Sequence, residues 1–155
     1  MTSRSLKAKA AVVDTGVLLE YLTLDKTKKD SRKYFNYLNS ELFQNHNYKQ
    51  IFISFLTKTE LLYISCRIKG WRKAKEYVSS LVNSFIIVSN DEIDELAALI
   101  KCKIPIALPD CFNLAIAKIY KIPAYFLEEK ELSSQTQRKI ITELNIDLHI
   151  IQKRV

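Results

Sequence analysis

A chain of 155 residues, 48% of them hydrophobic, has the length of one domain and can bury a core without disulfides or structural metals. Its three cysteines, Cys66, Cys102 and Cys111, are odd in number and lack metal-ligand spacing; this excludes a disulfide framework and a zinc site and fits reduced thiols in a cytoplasmic protein. The net charge of +7 gathers in clusters (Arg4/Lys7/Lys9, Lys26/Lys28/Lys29/Arg32/Lys33, Arg67/Lys69/Arg72/Lys73/Lys75 and Lys153/Arg154) that suit a phosphate-rich partner, although a solvated surface would give the same balance.

In chain order, Ala10–Asp14 reads as a buried strand and Thr15–Leu22 as a helix. A second helix is expected over Lys28–Gln44, with Tyr34, Phe35, Tyr37, Leu38 and Leu42 on its apolar side. Ile51–Ser54 is the second strand, followed by a helix over Thr57–Lys69 that Gly70 ends. Trp71–Ser84 is helical and Phe85–Val88 is the third strand. Ser89 or Asn90 caps a helix through Lys103, with Asp91, Glu92, Asp94 and Glu95 in its early turns, where the helix dipole favours them. Pro109 opens a helix through Tyr120, and Pro123 introduces the fourth strand, Ala124–Leu127. Ser133 or Ser134 starts a helix to Leu144, and Leu148–Ile151 forms a fifth strand. Short, wholly apolar strands alternating with helices predict a three-layer α/β/α fold around a mostly parallel sheet of four to five strands, one domain over residues 1–155. No run approaches about 18 uncharged apolar residues, so no membrane span is expected. The apolar run behind the basic N-terminus meets Asp14 too soon for a signal peptide.

In such sheets ligands bind outside the carboxyl ends of the strands. Asp14 falls at the end of the first strand beside Thr15, where an ordinary N-cap would also put an Asp. Glu60 has Leu56, Tyr63 and Ile64 as its helical neighbours, which turns it inward; Arg67, two turns on, is its structural alternative as partner. Asp110 follows Pro109 in a first helical turn, and Glu128 and Glu129 follow the fourth strand. Each has a structural explanation alone. Together, carboxylates from four segments at one sheet edge repel unless a divalent cation sits among them, and hard oxygen donors favour Mg²⁺ or Mn²⁺. His46 and His149 are isolated, and no GxxxxGK[ST] or GxGxxG motif occurs, so no nucleotide cofactor is expected.

Four segments in order, Val12–Leu22 (VVDTGVLLEYL), Ile53–Tyr63 (ISFLTKTELLY), Leu108–Lys118 (LPDCFNLAIAK) and Ile122–Leu132 (IPAYFLEEKEL), resemble the PIN-domain family, and within it the VapC-type toxins of toxin–antitoxin pairs. The resemblance covers residues 10–132. It implies a metal-dependent endoribonuclease with Asp14, Glu60, Asp110 and Glu129 as catalytic metal ligands, Thr15 as a helper, an RNA substrate, a homodimer and an antitoxin that blocks the site. The family's fourth carboxylate commonly lies in a Thr-x-Asp segment. Here Leu127 replaces the hydroxyl residue and Glu129 the Asp, with Glu128 as a possible substitute. That departure keeps open a second reading, a PIN fold that binds RNA or protein without cutting. A receiver-like signalling domain is disfavoured, because the acidic pair expected just beyond the first strand is missing.

Overall fold

Ala10–Val13 and Ala124–Leu127 are buried along their whole length, as strands covered on both faces must be. In the computed structural model, which describes residues 10–25, 27–44 and 48–153, they are the adjacent, parallel strands β1 and β4. The remaining elements in chain order are α1 (Thr15–Leu22), α2 (Lys29–Leu38), β2 (Gln50–Ser54), α3 (Phe55–Lys69), α4 (Trp71–Val82), β3 (Ile86–Val88), α5 (Asp91–Lys103), α6 (Leu108–Tyr120), α7 (Ser134–Glu143) and β5 (Leu148–Ile151). Every strand pairing is parallel, and the order across the sheet is β3-β2-β1-β4-β5. The chain winds outward from β1 in one direction, then returns to the other side of β1, so the switch of direction lies between β1 and β4.

Side chains alternate across the strands and build two cores. Ala10, Val12, Ala124 and Phe126 pack with Ile93, Ile100, Leu114 and Ile140 of α5, α6 and α7. Ala11, Val13, Tyr125 and Leu127 pack with Leu18, Leu38, Leu61 and Val78 from α1 to α4. These are the three layers expected, with five strands.

Several boundaries differ from the sequence reading, each for a local reason. The second helix ends in a π-helical turn, Asn39–Phe43, which keeps Leu38, Asn39 and Leu42 all buried; Asn39 Oδ1 accepts the Tyr21 hydroxyl at 3.0 Å. Helix α3 starts at Phe55 rather than Thr57, because Ser54 is its N-cap and accepts the Thr57 N–H. Asn90 and Ser133 cap α5 and α7 in the same way. Gly70, at φ 87°, ends α3 and starts α4 in a conformation that side chains avoid. The three cysteines are free: Cys111 buried, Cys66 half-buried and Cys102 exposed. His149 lies in β5, stacked on the Tyr125 ring at 4.5 Å with its Nε2 2.9 Å from Asp147. His46, Lys26, Arg154 and the cluster Arg4/Lys7/Lys9 lie outside the described residues. Among the described residues no helix is long and apolar enough to cross a membrane.

Candidate metal centre

At the carboxyl ends of β1 and β4, where the winding reverses, a cavity of about 120 Å³ is lined by Asp14, Thr15, Glu60, Asp110, Asn113 and Glu129. The four carboxylates arrive from four separate segments. Asp14 is the residue after β1 and caps α1, with Oδ1 accepting the Val17 N–H at 3.0 Å. The capping reading of Asp14 is therefore true, and it does not compete with the cavity reading. Only one side of the carboxylate is occupied by the helix.

Glu60 comes from α3, but not in the way its neighbours predict. The buried stripe of α3 is Thr57, Leu61 and Ser65; Tyr63 is 43% exposed, and Glu60 sits half-buried at the stripe's edge. A hydroxyl relay fixes it there: Thr15 Oγ1 donates to Glu60 Oε1 at 2.7 Å, and the buried Thr57 Oγ1 lies 3.2 Å from Thr15. Arg67 is not the partner of Glu60. Its guanidinium lies over the Tyr63 ring at 5.0 Å.

Asp110 stands in the first turn of α6, 7% exposed, behind Pro109. The α6 N-cap, Ala107, makes no side-chain bond, so Asp110 is an addition to this helix start rather than its cap. Glu128 and Glu129 part company after β4. Glu128 Oε1 accepts the Lys153 backbone N–H at 2.9 Å on the β5 side, whereas Glu129 turns to the cavity. Leu127 is buried in the sheet's core, and a Cβ added at Gly16 would stand 3.2 Å from Leu127 Cβ. That close approach of α1 to β4 needs the glycine, and the Leu127 backbone amide lies near enough to the Asp14 carboxylate to oppose weakly the effect of its burial.

The electrostatics follow from this crowding. Burial above all holds the Asp14 carboxyl well above the usual range, with Asp110 and Glu129 adding to it and the Val17 and Leu127 amides opposing it. Asp110 is pushed up to about 7 by burial first, then by Glu129, Glu131 and Glu60. Glu129 is raised by burial and by Glu131 and Glu60, with Lys153 opposing. Arg72 and Glu76 form an ion pair at 3.7 Å on the surface of α4, and the Asp147 carboxylate lies against His149, both away from the cavity. Among the described residues no Lys or Arg forms an ion pair with the cavity's carboxylates, and Lys153 acts on Glu129 without pairing with it.

Three contributors escape a linear reading of the sequence. Asn113, 1% exposed, shares the α6 face with Asp110 three residues earlier, and its Oδ1 has no hydrogen-bond partner. Glu131 is exposed, yet its carboxylate comes within 4.8 Å of those of Asp110 and Glu129. Thr57 holds Thr15. The helical spacing from Asp110 was the signal for Asn113; nothing local marks Glu131. Among the described residues, the carboxylates of Asp110, Glu129 and Glu131 approach within 4.8 Å of one another, and Asp14 and Glu60 line the same cavity without meeting that separation; oxygen donors of this kind fit Mg²⁺ or Mn²⁺ rather than a thiophilic metal. A wider groove of about 830 Å³, lined by Lys33, Tyr34, Tyr37 and Lys153 with Glu20 and Asp30, has mixed charge and no converging carboxylates.

No curated protein matches the sequence. Among solved structures, the chain is similar to one from a toxin–antitoxin complex of Klebsiella pneumoniae (18% identity, TM-score 0.56, covering 80% of this chain and 91% of the other). It is also similar to one from DNA-bound VapBC of Salmonella typhimurium (15%, 0.57, 92% and 97%) and one from VapBC-1 of nontypeable Haemophilus influenzae (15%, 0.58, 92% and 97%). At such identities the likeness is one of fold. A family model, described as PIN domain, matches residues 11–134, and with that span matched the chain belongs to the PIN domain family.

Proposed function

We propose that the protein is a Mg²⁺- or Mn²⁺-dependent endoribonuclease and the toxin of a toxin–antitoxin pair. One observation carries the reading: Asp14, Glu60, Asp110 and Glu129, from four separate segments, share a small cavity in which no Lys or Arg among the described residues pairs with them. PIN domains are generally metal-dependent nucleases, and the structural neighbours named above come from toxin–antitoxin complexes. A divalent ion, when bound, supplies charge against the developing negative charge of a phosphodiester and acidifies water. The chain's own residues do the rest. Asp14 and Asp110 present buried carboxylates, Thr15 fixes the rotamer of Glu60, and Glu129 closes the set from the solvent side. The cluster Lys28/Lys29/Arg32/Lys33 and the cluster Arg67/Lys69/Arg72/Lys73/Lys75 are exposed and hold the RNA backbone. A homodimer, an antitoxin partner and a place in the cytoplasm belong to the same reading.

The non-cutting alternative drew on Leu127 and the longer Glu129. Against it stands Glu129, which lines the cavity despite its longer side chain. The test is cleavage of a generic single-stranded RNA with Mn²⁺, by the wild type and by Asp110→Asn. Cleavage by the wild type alone supports the nuclease. RNA binding without cleavage by either protein establishes the alternative.

A further inference from the structure

The amide of Asn113 has no evident structural task. It is 1% exposed on α6, its Oδ1 meets no donor, and it lines the same cavity as Asp14, Asp110 and Glu129. A buried acceptor left without a donor is disfavoured, and an apolar residue of the same size would serve a core better. The cavity that Asn113 lines is otherwise walled mainly by carboxylates, which offer no proton once ionised, and by Thr15, whose hydroxyl is given to Glu60. What an unpartnered oxygen among carboxylates can bind is a cation or the water that a cation carries.

We infer that Asn113 Oδ1 is a neutral oxygen donor to the divalent cation of this centre, adding an uncharged ligand to the carboxylates that line the same cavity. The inference rests on the metal-centre reading. It also explains why the residue is Asn. Five carboxylates, those of Asp14, Glu60, Asp110, Glu129 and Glu131, already crowd the region, and a further fully buried charge would add repulsion in the metal-free protein. An amide adds an acceptor without a charge.

The experiment is Mn²⁺ affinity, by calorimetry and by the electron paramagnetic resonance of free Mn²⁺, for the wild type, Asn113→Leu, Asn113→Asp and Asp110→Asn, with no RNA present. The expected result is that Asn113→Leu weakens Mn²⁺ binding at least about tenfold while melting no lower than wild type in EDTA, because it removes an unsatisfied acceptor. Asn113→Asp, which keeps an oxygen, binds Mn²⁺ as tightly as wild type or more so. If the leucine variant does not fold, Asn113→Val takes its place. Wild-type affinity in the apolar variant, with binding lost in Asp110→Asn, overturns the role of Asn113 and leaves the metal centre standing. Weakening in Asn113→Asp equal to that in Asn113→Leu also overturns it, since the amide then acts through its N–H. No binding by the wild type overturns the metal centre itself.

Discussion

Neutralising Asp110 makes the tension in the cavity measurable. Asp110→Asn keeps the side chain's size and removes its charge. The carboxyl is raised from 3.8 to about 7 by burial, Glu129, Glu131 and Glu60, and at about 1.36 kcal/mol per unit this corresponds to roughly 4 kcal/mol against the ionised, metal-free fold. Opposing it, an Asp in the first turn of a helix gains about 0.3–1 kcal/mol from the dipole, which Asn forgoes. Asp110 caps nothing and, among the described residues, pairs with no cation, so no other loss is expected. The net gain at pH 8 in EDTA is about 3 kcal/mol, or a rise in Tm of roughly 6–12 °C for a chain of this size. The pH dependence has a definite sign. A carboxyl whose folded pKa exceeds its unfolded value favours the fold when protonated, so its contribution is fully present below about pH 4 and is lost as pH rises through about 7. Wild type in EDTA should therefore melt higher at pH 5.5 than at pH 8, and the advantage of Asp110→Asn should shrink over the same interval. Mn²⁺ should raise the wild-type Tm at pH 8 by mass action and raise that of the variant less. If Asp110→Asn melts below wild type in EDTA at pH 8 and both respond equally to Mn²⁺, the carboxylate is structural and the reasoning is wrong.

Cleavage of single-stranded RNA should disappear in EDTA and return with Mn²⁺ or Mg²⁺ but not with Ca²⁺ at similar concentration; activity surviving the chelator would remove the mechanism. Glu129→Gln should abolish or strongly weaken cleavage and Glu128→Gln should be mild, as measured by initial rates, with the opposite ranking showing that Glu128 faces the substrate. Thr15→Val removes the 2.7 Å hydrogen bond to Glu60, and at about 1.5–3 kcal/mol for a bond to a charged group it should lower kcat roughly tenfold or more while the far-ultraviolet spectrum stays native; an unchanged rate would show that Glu60 needs no orienting. RNA affinity measured in Ca²⁺ should fall steeply between low and physiological salt, and Lys28→Ala with Arg32→Ala should flatten the slope; a salt-independent constant would leave the charge of +7 as mere solvation.

The parallel sheet was legible because its signal is local: wholly apolar four-residue runs such as Ala10–Val13 and Ala124–Leu127 have few other uses. The caps at Asn90 and Ser133 were legible for the same reason. The start of α3 was not, since Ser54 serves both as the last strand residue and as the N-cap, and propensity gives no weight to that double role. Glu60 turns to the cavity, as its sequence suggests, but at the edge of a buried stripe that polar Thr57 and Ser65 hold with Leu61 while Tyr63 is exposed. Hydrophobic periodicity fails on a helix whose inner face carries hydroxyls. Those hydroxyls are there for the site: Thr57 meets Thr15, and Thr15 meets Glu60.

The departure at Leu127 shows how strand packing and site chemistry come to share one residue. At the end of β4 the side chain must fill the core against Gly16, which leaves only the backbone to address the cavity. An amide N–H is enough for Asp14, whose other amide partner, Val17, comes from the helix it caps. The two amides oppose the burial of Asp14, but neither carries a full charge, and the carboxyl still stays well above its usual range. No backbone amide opposes the burial of Asp110. Asp14 is built into the helix start, where its cap bond holds its geometry; Asp110 has no such bond, and on the proposed metal-centre reading a bound cation would be its electrostatic compensation. That asymmetry is why Asp110 is the more sensitive place to perturb: substitution at Asp14 mixes capping with repulsion, and substitution at Asp110 separates them.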